Sequence, residues 1–220
     1  MNILLVAATK AELKNVISFF HFKEDTSSFT TEGIYVEVLI TGVGMVATAF
    51  ALAQKLASKK YDLAINAGIA GTFTGNLNLG DVVWVKQDIF AELGAEDDSK
   101  FLSIDDLGFG QALTLPLIDK ENKVISKWLA SLKPANAITV NKVSGNFKNI
   151  QKTIHRLNPD IETMEGAAFY YACQQNQTPC VQLRGISNFI EKRNTDNWDV
   201  RKAVSGVNAV LIRFFKSFGK

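Results

Sequence analysis

Near the start of the chain an apolar run, Ile3-Leu4-Leu5-Val6-Ala7-Ala8, passes without a spacer into Thr9-Lys10-Ala11-Glu12. A Thr followed three residues later by a Glu is the mark of a capping box, in which each side chain satisfies a free backbone N–H at a helix start. A buried strand that turns straight into a helix completes its hydrogen bonding by pairing with a parallel neighbour reached through that crossover. The same junction recurs. Residues 34–41 read as a strand, Gly42-Val43-Gly44 turns, and a helix runs through 47–57. Residues 62–67 form a third strand that ends at Gly68-Ile69-Ala70-Gly71. Further strands are expected at 82–85, 137–143 and 180–186, and helices at about 119–132, 148–157, 164–175 and 198–217. The last carries Val200, Ala203, Val204, Val207, Val210, Leu211, Phe214 and Phe215 at helical spacing, one stripe to lay on a sheet. This order predicts an α/β fold: a single-domain three-layer α/β/α sandwich over residues 1–220, around a mixed, largely parallel central sheet. The polar stretch 88–110 is expected to leave the sheet and to line a pocket or an oligomer contact.

Composition removes several classes of function. The net charge is +2 and Lys and Arg are dispersed, so there is no basic stripe for nucleic acid. No apolar run approaches the roughly 20 residues that span a bilayer. The first residues lack the basic start of a signal peptide, which leads to the expectation of a cytoplasmic protein without a membrane partner. Cys173 and Cys180 make no disulfide framework. His21 and His155 are the only histidines and sit in no ligand pattern, so neither a metal nor any other cofactor is expected.

Four segments could carry chemistry, and each also has a plainer role. Gly42-x-Gly44 and Gly68-x-x-Gly71 follow strands and can bring backbone N–H groups up to a ligand, or they can be tight turns. Glu12 is a candidate general base at the carboxyl edge of the first strand, where open α/β sheets bind ligands, or only the partner of Thr9. Met164-Glu165 opens a helix; a carboxylate there can accept from two neighbouring hydroxyls, or can simply complement the helix dipole. In Arg184-Gly185-Ile186-Ser187-Asn188 a buried-strand Arg calls for a carboxylate, with Glu12 or Glu165 to serve, and Asn188 is either a base-reading amide or a turn residue.

Taken together, Thr41-Gly42-Val43-Gly44, Asn66-Ala67-Gly68-Ile69-Ala70-Gly71, Leu79-Gly80-Asp81-Val82-Val83, Val143-Ser144-Gly145, Met164-Glu165 and Ile186-Ser187-Asn188 resemble the nucleoside phosphorylase and nucleosidase superfamily over nearly the whole chain. Phe90-Ala91-Glu92-Leu93-Gly94-Ala95-Glu96-Asp97, Ser187-Asn188-Phe189-Ile190-Glu191, Arg193-Asn194 and Asp196-Asn197-Trp198 are similar to its futalosine hydrolase branch.

That resemblance implies an N-ribosidase acting on a small-molecule purine nucleoside, releasing hypoxanthine from futalosine on an alternative route to menaquinone. It implies a homo-oligomer, a dimer or larger. By the same resemblance Glu12 holds the attacking water, Glu165 the ribose diol and Met164 the sugar face, while Arg184 ties the two acids together. Phe147 stacks on the purine and Trp198 covers the sugar. Ile69, Ala70, Gly71 and Ser187 complete the substrate-binding wall. Phe90, Phe101, Phe109 and Phe189 are candidates for an apolar wall beyond the ribose, with Arg193 for a distal carboxylate. Adenine-specific members carry Asp where this chain has Asn188; a neutral amide presenting NH2 suits a 6-oxopurine, whose N7 and O6 both accept. Phosphorolytic members carry Arg and Ser where this chain has Asn66 and Ile69, so water is the expected nucleophile.

Overall fold

The computed structural model describes residues 1–25, 27–118 and 121–219. Its framework is a nine-stranded sheet built from β1 (Asn2–Ala7), β2 (Ser28–Thr31), β3 (Ile34–Ile40), β4 (Leu63–Thr72), β5 (Val82–Phe90), β8 (Leu113–Thr114), β9 (Lys133–Thr139), β10 (Ile161–Thr163) and β11 (Cys180–Phe189). A separate hairpin pairs β6 (Gly94–Asp97) with β7 (Lys100–Ser103). The helices are α1 (Lys14–Phe19), α2 (Met45–Ser58), α3 (Lys123–Ala130), α4 (Phe147–Leu157), α5 (Gly166–Gln175) and α6 (Val200–Lys216). Residues 119 and 120, where the third of these was expected to begin, lie outside the described residues.

The side chains of β1 divide the molecule into layers, because successive strand residues face opposite sides. Ile3, Leu5 and Ala7 enter a core with Val16 of α1 and Val207, Leu211 and Phe214 of α6. Leu4 and Val6 enter the opposite core with Leu52 and Leu56 of α2 and Phe169 of α5. The three-layer sandwich is therefore present. Its sheet is mixed, with five parallel pairings among the described residues and four antiparallel ones.

The sheet also closes on itself. From β4 the strands run to β11, β5, β9 and β10, and β10 then pairs back onto β4. This ring arises because β4 is longer than its sequence suggests. Gly68-Ile69-Ala70-Gly71, expected as a turn, continues the strand to Thr72. The first half of β4 pairs with β1 and the second half reaches Ile161 and Glu162 of β10. Likewise Asn188 does not end its strand; it lies inside β11, just past a register shift between Ile186 and Asn188. Such a bulge re-aims the side chains beside it. The stretch 88–110, expected to be irregular, contributes Asp88, Ile89 and Phe90 to β5 before forming the β6–β7 hairpin.

Helix α6 forms as its stripe predicts. Asp199 caps it, accepting the Lys202 N–H at 2.9 Å, and Arg213 and Lys216 occupy the last turn, where cations suit the helix dipole. One member of its buried face is polar: Asn208 is fully buried among Val207, Val210 and Leu211.

Candidate active site

The carboxyl ends of β1, β4, β10 and β11 and the start of α5 surround a cleft of about 1170 Å³, counting its open mouth. Glu12 enters it from the short 3-10 turn Lys10–Leu13 that follows β1. The capping box forms: the Thr9 N–H and hydroxyl donate to Glu12 Oε2 at 2.9 and 3.1 Å. Its other oxygen, Oε1, lies 3.4 Å from the Ile69 N–H and faces the cleft. One oxygen of Glu12 thus serves the capping box, while the other is left at the cleft. Burial raises its pKa above the ordinary carboxylate value; the Thr9 hydrogen bonds and the Arg184 charge pull it down, and Glu165 pushes it up.

Glu165 sits between β10 and α5, and its Oε1 accepts the Gly44 N–H at 2.9 Å. That donor is aimed by the turn after β3, where Gly42 and Gly44 have φ of 85° and 96°, conformations that favour glycine. Met164 lines the cleft beside it. Across the cleft, the Ser187 hydroxyl donates to Asn188 Oδ1 at 2.8 Å, and Asn188 Nδ2 donates to the Phe189 carbonyl at 3.1 Å. These partners orient the amide and leave the second N–H of Nδ2 free for a ligand. Ile69, Ala70, Gly71, Ser187 and Trp198 line the same space, as does Arg193, whose guanidinium lies 5.0 Å from the Trp198 ring.

Two residues are placed otherwise than expected. Arg184 does not tie Glu12 to Glu165; it is 2% exposed, and its Nη2 donates to Asn66 Oδ1 and, at 3.1 Å, to Gln182 Oε1. The register explains the difference. Gln182 lies opposite Asn66 and Arg184 opposite Gly68 across the β4–β11 pair, so neutral amides reach the guanidinium first. The slot exists because Gly68 has no side chain: a Cβ there would stand 2.6 Å from Arg184 Nη1 and 2.7 Å from Glu12 Oε1. Phe147 is outside the cleft lining and 74% exposed, because Asn146 caps α4 and Phe147 occupies its first, outward turn. Of the other aromatic candidates, Phe189 lines an adjoining recess, Phe90 packs against Tyr171, Phe101 lies under Arg156, and Phe109 is 81% exposed.

Three residues escape the sequence reading. Asn208 donates to the Glu12 carbonyl at 2.7 Å. Asp88 is fully buried on β5, accepting from Thr139 Oγ1 at 2.8 Å and Gln182 Nε2 at 3.3 Å, and burial pushes its pKa up to about 7. Glu162, in the short β10, lines both the cleft and the recess behind it. The only sequence signal for the last two is an acid within a strand. Among the described residues no three His, Cys, Asp or Glu side chains gather as a metal site, and no helix is long and apolar enough to cross a membrane.

Comparison with known proteins gives this geometry a setting. Residues 2–216 match the model of the phosphorylase superfamily. The futalosine hydrolase of Thermus thermophilus is 29% identical over 84% of this chain and 82% of its own. The 5'-methylthioadenosine/S-adenosylhomocysteine nucleosidase of Bacillus velezensis is 30% identical over 81% and 78%. Among solved structures, the corresponding Helicobacter pylori nucleosidase, in complex with butyl-thio-DADMe-Immucillin-A, superposes with a TM-score of 0.83 at 15% identity, covering 99% of this chain and 98% of that one. The native futalosine hydrolase of the same organism gives 0.81 at 14% identity over the same shares, a likeness of fold. The chain belongs to the phosphorylase superfamily and, standing among nucleosidases, is an enzyme of the N-glycosyl hydrolase kind.

Proposed function

We propose that this protein hydrolyses the N-ribosidic bond of futalosine, releasing hypoxanthine. The observation that carries the reading is Asn188, a neutral amide held by Ser187 and Phe189 with one N–H left over, which lines the same cleft as Glu12. The futalosine hydrolases of Thermus thermophilus and Streptomyces coelicolor, each 29% identical, support it.

In this mechanism the bond from C1′ to the base nitrogen breaks first, and its electron pair leaves with the base. Asn188 stabilises that charge with a donated hydrogen bond. A 6-oxopurine spreads negative charge onto its oxygen, so departure without prior protonation suits it. Glu165 holds the ribose hydroxyls and Met164 packs on the sugar. Glu12 takes the proton of a water whose oxygen bonds to C1′, and its raised pKa makes it a better base than an exposed carboxylate. The departing base collects its proton from solvent. Apolar Ile69, where phosphorolytic members carry Ser, favours water over phosphate. Arg193, beside Trp198 at the cleft, is the candidate for the substrate's distal carboxylate.

The apolar face of α2 supports the homo-oligomer: Val46 and Phe50 are 81% and 65% exposed, and Val43 beside them lines the cleft. Cys173 and Cys180 are free and buried, in keeping with a reducing compartment.

A methylthioadenosine-type nucleosidase is the competing reading, because relatives bearing that name match equally well. Incubation with futalosine, inosine and methylthioadenosine, with and without phosphate, followed by chromatography of the released base, separates them. Hypoxanthine from futalosine without phosphate is the expected result; adenine from methylthioadenosine alone refutes the proposal.

A further inference from the structure

Behind Asn188 the cleft deepens into a recess that Gly71, Ser144, Glu162 and Arg193 also line. Glu162 is the middle residue of β10. Ile161 enters the core, and Thr163, which lines the main cleft, has its Oγ1 3.1 Å from Thr139 Oγ1. Of the three β10 residues, Glu162 alone lines the recess. The residue is 5% exposed. Ser144 holds both of its oxygens, the N–H donating to Oε1 at 2.8 Å and the hydroxyl to Oε2 at 2.6 Å. Glu162 makes no ion pair among the described residues. Burial, with repulsion from Glu92, raises its pKa against the two Ser144 bonds.

A carboxylate oxygen can accept more than one hydrogen bond, so both oxygens keep capacity after Ser144 is served. A carboxyl group withdrawn from water and making no direct ion pair gains from each further donor. The recess thus presents a fixed donor, Asn188 Nδ2, and a fixed acceptor, Glu162. Along its edge a 6-oxopurine offers acceptors at N7 and O6 and then a donor, N1–H. Adenine offers an acceptor at N7, a donor at its amino group and an acceptor at N1. A carboxylate facing N1 attracts the first base and repels the second.

We infer that Glu162 accepts the N1–H of a 6-oxopurine and, with Asn188, selects it over a 6-aminopurine. The inference rests on the reading of the cleft as a nucleoside site and adds the residue that sets its base specificity.

Calorimetric titration of the wild-type protein, Glu162→Met and Glu162→Gln with hypoxanthine and 1-methylhypoxanthine tests it, with circular dichroism to verify folding. Wild type is expected to favour hypoxanthine over the methylated base. Glu162→Met, of similar length but without an acceptor, should bind hypoxanthine about 10- to 100-fold more weakly, the range for a hydrogen bond to a charged group, and should lose that preference. Glu162→Gln keeps a neutral acceptor and should lose less, in the same direction, and it carries the test if the Met variant does not fold. Hypoxanthine affinity within about twofold of wild type in either folded variant overturns the assignment, as does a preference that survives the substitution, since shape alone would then exclude the methyl group. Failure of the functional reading looks different: the wild-type protein itself would bind neither base and release no hypoxanthine.

Discussion

Asn208 of α6 donates its side-chain amide to the carbonyl oxygen of Glu12 at 2.7 Å, although the two residues lie at opposite ends of the chain. The same amide accepts the Val16 N–H at 2.9 Å, so one buried side chain clamps the turn that presents Glu12 and the helix that follows it. Asn208→Leu should strand both backbone groups and cost about 1–3 kcal/mol for each. Urea denaturation reads that loss. Turnover should fall as well, since Glu12 loses its anchor; an unchanged midpoint and rate would show that the clamp is idle.

Glu12→Gln keeps the shape of the capping side chain and removes the proposed base. Turnover is expected to drop by roughly 10²–10⁴-fold with the fold intact. In the wild type, Glu12 must be ionised to accept a proton, and burial raises its pKa. Activity should therefore fall on acidification, beginning above the pH at which an ordinary carboxylate titrates. A pH profile of kcat/KM whose acid limb sits at or below the ordinary carboxylate range would contradict this.

Asp88 makes a prediction about stability rather than rate. Its pKa rises from the ordinary 3.8 to about 7 on folding, so the folded state holds the proton more tightly than the unfolded chain. The group's contribution is complete below the unfolded value and is lost as pH rises toward 7. At about 1.4 kcal/mol per pH unit this amounts to a few kcal/mol. Asp88→Asn cannot titrate. Denaturation of both proteins between pH 4 and pH 8 should show wild type gaining on the variant as pH falls. Parallel curves would mean that Asp88 stays ionised throughout.

On the proposed mechanism, Asn188→Asp puts a negative charge where negative charge develops on the departing base. Cleavage of 6-oxopurine nucleosides should slow by about 10²-fold or more, the scale of a lost transition-state donor. A protonated Asp can still accept from a 6-amino group, so the ratio of rates on 6-amino to 6-oxo substrates should rise. Competition assays with inosine and adenosine read that ratio; an unaltered ratio would exclude position 188 from base selection.

How far these features were legible depends on how many residues speak for each one. Helix α6 declares itself through eight apolar positions at one spacing, and the strand-to-capping-box junction at Thr9 through Glu12 is local and regular. By contrast, the glycines after Ala67 signal a turn, yet they are spaces: Gly68 leaves room for Arg184 and Glu12, and the strand runs on. Arg184 suggests a carboxylate partner, but strand register brings it the amides of Asn66 and Gln182. Glu162 and Asp88 are single acids in strands whose direction depends on pairings far away in sequence. Phe147, placed on the purine by resemblance alone, occupies the exposed first turn of α4, a direction set by the Asn146 cap rather than by any pattern around it.

The closed ring of strands has one consequence for how such a protein can change. Glu12 follows β1, Glu165 follows β10, and both flanking strands are hydrogen-bonded to different halves of β4. That single strand therefore acts as a ruler between the two acids, and each residue added to it would lengthen the gap by about 3.3 Å. The proposed grip of the two carboxylates on one sugar therefore depends on the length of β4 more than on that of any surface loop.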